Sequence, residues 1–219
     1  MSHTYTYLEL VNAVLVRLRE DTVTTVQGTD DVVVSLVKEF VNDAKRTVED
    51  AHTWSALEKE WEVSTTIGND KLVLTDSHKS PIIDYIYDSN GQKLRLINKE
   101  ARRRKASMSD GNGSPVYYIV DGTESNGDTR LRIWPAPDSV KTYTAYGYER
   151  TPNLKEDSDM LAVPAAPVIY LAEALAARER GEIGGLASSE LMQVAKQYLG
   201  DAIAMDATNS DMDNNWYTV

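Results

Sequence analysis

The sequence contains no cysteine. Disulfides and thiolate-bound metals are thereby excluded. No apolar run approaches the ~18 residues a membrane-spanning helix requires, so no membrane partner is expected. The first ten residues, MSHTYTYLEL, carry neither a basic n-region nor a signal-type apolar core. Secretion by that route is not expected, and synthesis in the cytoplasm fits best. Histidine is scarce: His3, His52 and His78 are the three. None stands four residues from another, and no HExxH or metal-spaced carboxylate set accompanies them. The signatures GxSxG, GxxxxGK[ST] and GxGxxG are missing as well.

Two features imitate sites without their context. GEIGG (181–185) follows a helical pattern, not a strand, and reads as a helix break. The pairs Asp157/Asp159 and Asp211/Asp213 lack the glycine and distal glutamate of a calcium loop and read as solvated acidic loops. No catalytic residue, cofactor or metal is assigned, and the chain is not read as an enzyme. With 34 carboxylates some pairing in space is always open, so a carboxylate-dependent cell-wall hydrolase stands as an alternative, but no feature selects a pair.

What is present is acid: 34 Asp and Glu against 23 Lys and Arg, a net charge of −11. Phosphate binding selects for the opposite sign, which disfavours a general DNA-binding domain. It does not disfavour a surface past which DNA slides.

Periodicity then organises the 219 residues. Residues 6–20 read as a helix with capping-box spacing at Thr6 and Glu9. A second helix starts near Asp30, with Val33, Val37, Phe40, Ala44, Val48 and Ala51 on one face. From residue 57 the period becomes two, and Trp61, Val63, Thr65 and Ile67 alternate with polar neighbours. KLVLT, IIDYIYDSNGQKLRLI, PVYYIV, RLRIWP and VKTYTAYGY continue the strands, and Asn90-Gly91 predicts a type I′ hairpin. KEARRRKA (99–106) reads as a short basic helix capped by Asn98. Helical patterns return over 165–180 and 187–206. The expected fold is α+β: a four-helix bundle made by the N- and C-terminal helices, with an inserted antiparallel β module. The divisions are 1–53 plus 151–207 for the bundle, 54–150 for the β module, and 208–219 for a C-terminal extension.

Three stretches invite partners. KEARRRK reads as a solvated helix face, a subunit contact, or a DNA contact. The closing WYTV either folds back on its own bundle or anchors on another protein. FVNDAKRTVEDAHTWSALEKEWEV (40–63) is the joint between the two modules, with Trp54 and Leu57 expected at the seam.

These blocks, in order, resemble a known family. LELVNAVLVRLRE, TVTTVQG, FVNDAKRTVEDAHTW, EKEWEV, PVYYIV, RLRIWPAPD, YGYERTPNL and PVIYLAEALAARERGE together are similar to the head-to-tail adaptor (connector) proteins of tailed bacteriophages, including the tail tubular protein A type. The resemblance implies a structural virion protein, synthesised in the host cytoplasm and placed at the neck. It implies a homo-oligomeric ring, a dodecamer, beneath the portal protein, with a tail, nozzle or stopper protein on its other side. DNA would pass through the channel without sequence-specific binding. By the same resemblance Trp216, Tyr217 and Val219 match the portal-docking end. Arg102, Arg103, Arg104, Lys105, Lys45, Arg46, Glu49 and Asp50 become candidates for contact with the adjacent copy. A tail-completion or tube protein of the same virion is the second alternative.

Overall fold

The computed structural model describes residues 4–28, 30–77, 81–108, 112–179, 181 and 186–211. The fold is α+β. Its described helices are α1 (Tyr7–Arg17), α2 (Val32–Ala51), α3 (Lys99–Met108), α4 (Ala165–Glu179) and α5 (Leu186–Asp211). Its strands are β1 (Glu58–Ser64), β2 (Lys71–Leu74), β3 (Ile82–Asp88), β4 (Arg95–Leu96), β5 (Asn112–Gly113), β6 (Tyr117–Thr123), β7 (Thr129–Trp134), β8 (Ala136–Pro137) and β9 (Thr142–Tyr148). The chain divides into two compact units, Met1–Leu57 with Thr151–Val219, and Glu58–Arg150.

The first unit holds α1, α2, α4 and α5. Thr6 and Glu9 form the capping box: Glu9 N donates to Thr6 Oγ1 (3.3 Å) and Thr6 N donates to Glu9 Oε2 (2.8 Å). Helix α2 is capped by Asp31 rather than Asp30, its Oδ1 accepting from Val33 N and Val34 N. The doublet offers the same carboxylate twice. Capping at Asp31 puts Val34, Val37, Val41, Ala44 and Val48 on the buried stripe, and Val33 and Phe40 only at its margin. Leu10, Val11, Val14 and Leu15 of α1, and Val168, Ile169 and Ala172 of α4, complete this core. Helix α5 adds the partly buried Leu199, Ala202 and Ile203. Trp54 and Leu57 belong here too, and Trp54 Nε1 donates to Val48 O at 2.7 Å. Asp206 of α5 fixes this turn, accepting from Ser55 N and Ser55 Oγ.

The returning segment 151–161 is bound by polar residues inside the unit. Asn42, on α2, donates to Leu154 O (3.1 Å) and accepts from Leu154 N (2.9 Å). Lys45 Nζ donates to Thr151 O (2.9 Å), and Thr151 Oγ1 donates to Glu49 Oε1 (2.6 Å). Further along, Val26 N donates to Asp157 Oδ1, and Asp159 Oδ2 accepts from the N–H groups of Lys155 and Glu156. The two aspartates thus satisfy backbone donors of turns.

The second unit is two facing sheets. One has the order β1-β9-β3 and the other β2-β7-β6-β4; β5 and β8 form a small third pair. The longer pairings are antiparallel, while the two-residue pairs β4–β6 and β5–β8 are parallel. Trp61, Ile86, Tyr143 and Ala145 from the first sheet meet Leu72, Leu74, Tyr118, Leu131 and Ile133 from the second in one core. Asn90-Gly91 lies in a turn, but not of type I′. Only Gly91 has positive φ (77°); Gly91 N donates to Asp88 O, and Asp88 N to Gln92 O. That is a three-residue loop with its glycine in the left-handed region. Asp88 Oδ1 accepts from Asn90 N and Gln92 N, a side-chain acceptor that favours this turn over the mirror-image one. The strands flanking it then diverge, β3 pairing with β9 and β4 with β6.

Glycine is needed at one buried ladder position. The β3 ladder bulges between Ile83 and Tyr85, opposite Gly147. A Cβ on Gly147 would stand 2.2 Å from Ile82 O. The bulge brings backbone onto backbone, which no side chain at that position permits.

Candidate interaction surfaces

The residues singled out for contact fall into three settings. Lys45 and Glu49 are buried in the helical unit, so they leave the set of subunit-contact candidates. Their side chains are 0% exposed and Lys45 Nζ lies 3.0 Å from Glu49 Oε1. Helical spacing places them one turn apart on α2. The return of residues 151–154 over that turn covers them, which the local pattern of α2 could not reveal. Burial lowers the Lys45 pKa from its ordinary value, while the Glu49 carboxylate opposes that shift. Arg46 and Asp50 stay on the exposed side of α2, with Arg46 reaching Asp43 at 2.8 Å.

Helix α3 is not a free basic patch. It lies across the outer face of the β2-β7-β6-β4 sheet, and two of its cations, Arg102 and Lys105, turn inward. Arg102 pairs with Asp70, which also accepts from Arg132 of β7. Lys105 Nζ sits over the rings of Tyr117 (4.5 Å) and Trp134 (5.3 Å), a cross-strand pair. Lys99 Nζ is 3.5 Å from Asp121 Oδ1. The aromatic platform under this helix is therefore occupied by its own lysine. Arg103 and Arg104 point outward, and Arg104 is 3.1 Å from Glu100.

Around that helix the sheet carries a charge network. Asp121 Oδ2 accepts from Arg132 Nε (2.7 Å) and Arg130 Nε (3.1 Å). Glu124 Oε1 meets Lys71 Nζ (2.8 Å) and Arg130 Nη1 (3.2 Å). The hydrogen bond from Arg132 holds the Asp121 carboxyl below its usual range, and that from Lys71 does the same for Glu124. Strand alternation explains the assembly. Arg130, Arg132 and Trp134 face out while Leu131 and Ile133 face the core.

Trp216, Tyr217 and Val219 lie outside the described residues, as do His3, His78 and all of GEIGG but Gly181. His52 ends α2, where its Nε2 is 3.2 Å from Asp206 Oδ2. Among the described residues no three His, Asp or Glu side chains are grouped to hold a metal ion, and no helix is long and apolar enough to cross a membrane. A shallow groove of about 490 Å³ runs past Asp84, Lys93, Leu94, Arg95, Leu96 and Tyr118. It brings one carboxylate to its lining, where acid–base hydrolysis of a glycoside uses two.

A fold of one helical unit and one inserted two-sheet unit, with charged and aromatic residues spread over broad outer faces, has the character of an assembly protein. The SU10 adaptor protein family matches the chain over residues 5–217. The chain belongs to that family and is a phage head-to-tail adaptor, a structural virion component. A search of curated proteins finds no significant match.

Proposed function

We propose that this adaptor forms a ring, a dodecamer, beneath the portal at the neck of the virion and joins it to a tail, nozzle or stopper protein. The observation that carries the reading is family membership over nearly the whole chain, both units included. The helical unit, read as a four-helix bundle, meets the portal together with the extension 208–219, and the β unit faces the tail. Trp216, Tyr217 and Val219 are the docking end. Arg46, Asp50, Arg103 and Arg104 face neighbouring copies or partners, as their exposed positions allow.

The net charge of −11 per copy suits a channel wall that repels phosphate and lets the duplex slide. Salt screens this field over ~8–10 Å, so it lubricates rather than binds. The test is electron microscopy of purified portal rings of the same virus mixed with the full chain. An added ring of density is expected; portal rings unchanged at saturating adaptor would overturn the reading. Removing residues 208–219 is expected to weaken attachment and leave the circular dichroism spectrum intact. Equal attachment by the truncated chain would reject the docking end.

A further inference from the structure

The β unit carries opposite charges on its two outer faces. On the β1-β9-β3 sheet, Trp61 points into the core, so Glu58, Glu60 and Glu62 point out. All three are exposed, and none has an ion pair among the described residues. Alternate residues of a strand are about 6.8 Å apart, so the three carboxylates form a row roughly 14 Å long.

Beside the row stands an aromatic plate. Glu60 is in register with Tyr146, and Tyr146 with Tyr85. The Tyr85 and Tyr146 rings are 4.9 Å apart, and Tyr87 joins them at 5.3 Å from Tyr85. The tyrosines are half-buried, and Lys93 Nζ of the same chain stands over the Tyr85 ring at 5.0 Å, so Tyr87 and Tyr146 are the rings of the plate with no cation over them among the described residues. Burial raises the Tyr85 pKa first, with the Glu58 charge adding to it. The register of Glu60 with Tyr146 and of Glu58 with Tyr148 places the acid row beside the plate.

The other outer face is the one α3 covers. Its exposed cations include Arg103, Arg104 and Lys99, the last 3.5 Å from Asp121, and Arg95 lies exposed on the adjoining edge strand β4. Arg95 and Arg103 have no ion pair among the described residues. Arginine fits the opposite face twice over. Its planar fork pairs with carboxylates and its flat cation stacks on aromatic rings. A carboxylate row flanked by tyrosines offers both at once.

We propose that the β1-β9-β3 face of one copy receives the α3 face of the next, with Arg103 and Arg104 set against Glu58, Glu60, Glu62 and the Tyr85–Tyr87–Tyr146 plate. The two surfaces differ, so the contact is head-to-tail, and such contacts close into rings when the rotation between copies closes. The occupant is therefore a second copy of this chain. The proposal rests on the ring reading above and names the faces that meet in it.

A charge swap tests it. Glu60→Lys/Glu62→Lys reverses one face and Arg103→Glu/Arg104→Glu the other. These side chains are exposed, so circular dichroism and melting should be unchanged. Assembly is followed by mass photometry of the full chain, free and on purified portal rings of the same virus. Each double variant alone should need at least about tenfold more protein to assemble, while an equimolar mixture recovers the parent's midpoint, since reversed faces then alternate.

A second measurement uses the chain's lack of cysteine. In Glu60→Cys/Arg103→Cys the two thiols of one copy are separated by the sandwich and the helix layer, roughly 20 Å in all. A bismaleimide of about 10 Å reach, shorter than that separation, should then give a ladder beyond dimer, while neither single variant cross-links, since like thiols of adjacent copies do not meet in a head-to-tail contact. Parent-like assembly by both charge variants, with no ladder, overturns the proposed faces and leaves the ring reading standing. A parent chain that stays monomeric both free and on portal rings removes the ring reading, and this proposal with it. Loss of assembly in both variants without rescue by mixing assigns these faces to a different partner and also overturns it.

Discussion

Lys45–Glu49 in the helical unit and Asp121–Arg132 in the β unit are both cation–carboxylate pairs, 3.0 and 2.7 Å long. Their settings differ. The first pair is sealed, both side chains 0% exposed, and it ties the returning chain at Thr151 to α2. The second is half-exposed, 35% and 19%, and sits in a network with several substitutes for each partner. Charge placed inside makes a segment specific, because a buried charge without its partner is costly. Charge placed outside is redundant, and it shapes the surface more than it stabilises the fold.

The largest expected effect follows from that contrast. Lys45→Met or Glu49→Gln alone strands a buried polar partner and should cost about 3–5 kcal/mol, read as a lower urea midpoint. The double variant Lys45→Met/Glu49→Leu should recover most of that loss, since apolar residues of similar volume need no partner. A double variant as unstable as either single would show that the bond to Thr151, rather than the pair, is what holds the unit.

Next in size is Gly147→Ala. The added methyl meets Ile82 O, and relieving the clash means reshaping the β3 bulge. A loss of about 1–3 kcal/mol is expected, as for overpacking of a filled site. Hydrogen exchange should rise in β3 and β9 while α1 and α2 keep their protection. A parent-like midpoint would mean that the bulge is easily reshaped.

The same contrast explains what could be read from sequence. Thr6–Glu9 and Asn98 were legible because a cap is a local event; Ala101 N indeed donates to Asn98 Oδ1 at 2.7 Å. The alternation of β1 and β7 was legible for the same reason, one strand face against the other. Lys45 and Glu49 look like any i, i+4 surface pair, and only the return of a segment over 100 residues later buries them. The pairing of β3 with β9, beyond the short bridge of Tyr87 with Lys93 across its own turn, is also non-local. Helix α3 was readable as basic. That Lys105 turns onto Tyr117 and Trp134 depends on where the sheet puts those rings.

Smaller still is the outer network. Asp121→Asn or Arg132→Gln should cost about 0–1 kcal/mol, because solvent and neighbouring charges replace what is lost. A cost near that of Lys45→Met would erase the distinction between the two pairs.

The finest test is pH, where the two units answer with opposite sign. Asp121 has its pKa lowered by the bond from Arg132, so its contribution is full above its unfolded value of 3.8 and fades as pH falls through the lower folded value. Glu173 on α4 is the reverse. Burial raises its pKa, and Arg17 Nε, 3.5 Å away, lowers it without making an aligned hydrogen bond. Its protonated form is favoured by folding, so stability drains away as pH rises from the unfolded value of 4.5 through the raised folded one. Asp159 complicates the raw acid curve of the helical unit, since backbone bonds lower its pKa and it titrates like Asp121. Differences between variant and parent remove that background. Glu173→Gln should flatten the slope of helical-unit stability above pH 4.5, and Asp121→Asn should flatten that of the β unit below 3.8. Slopes of the same sign in both differences would mean that the helical unit, too, keeps its carboxylates in favourable charged company, and that burial at Glu173 is outweighed by Arg17.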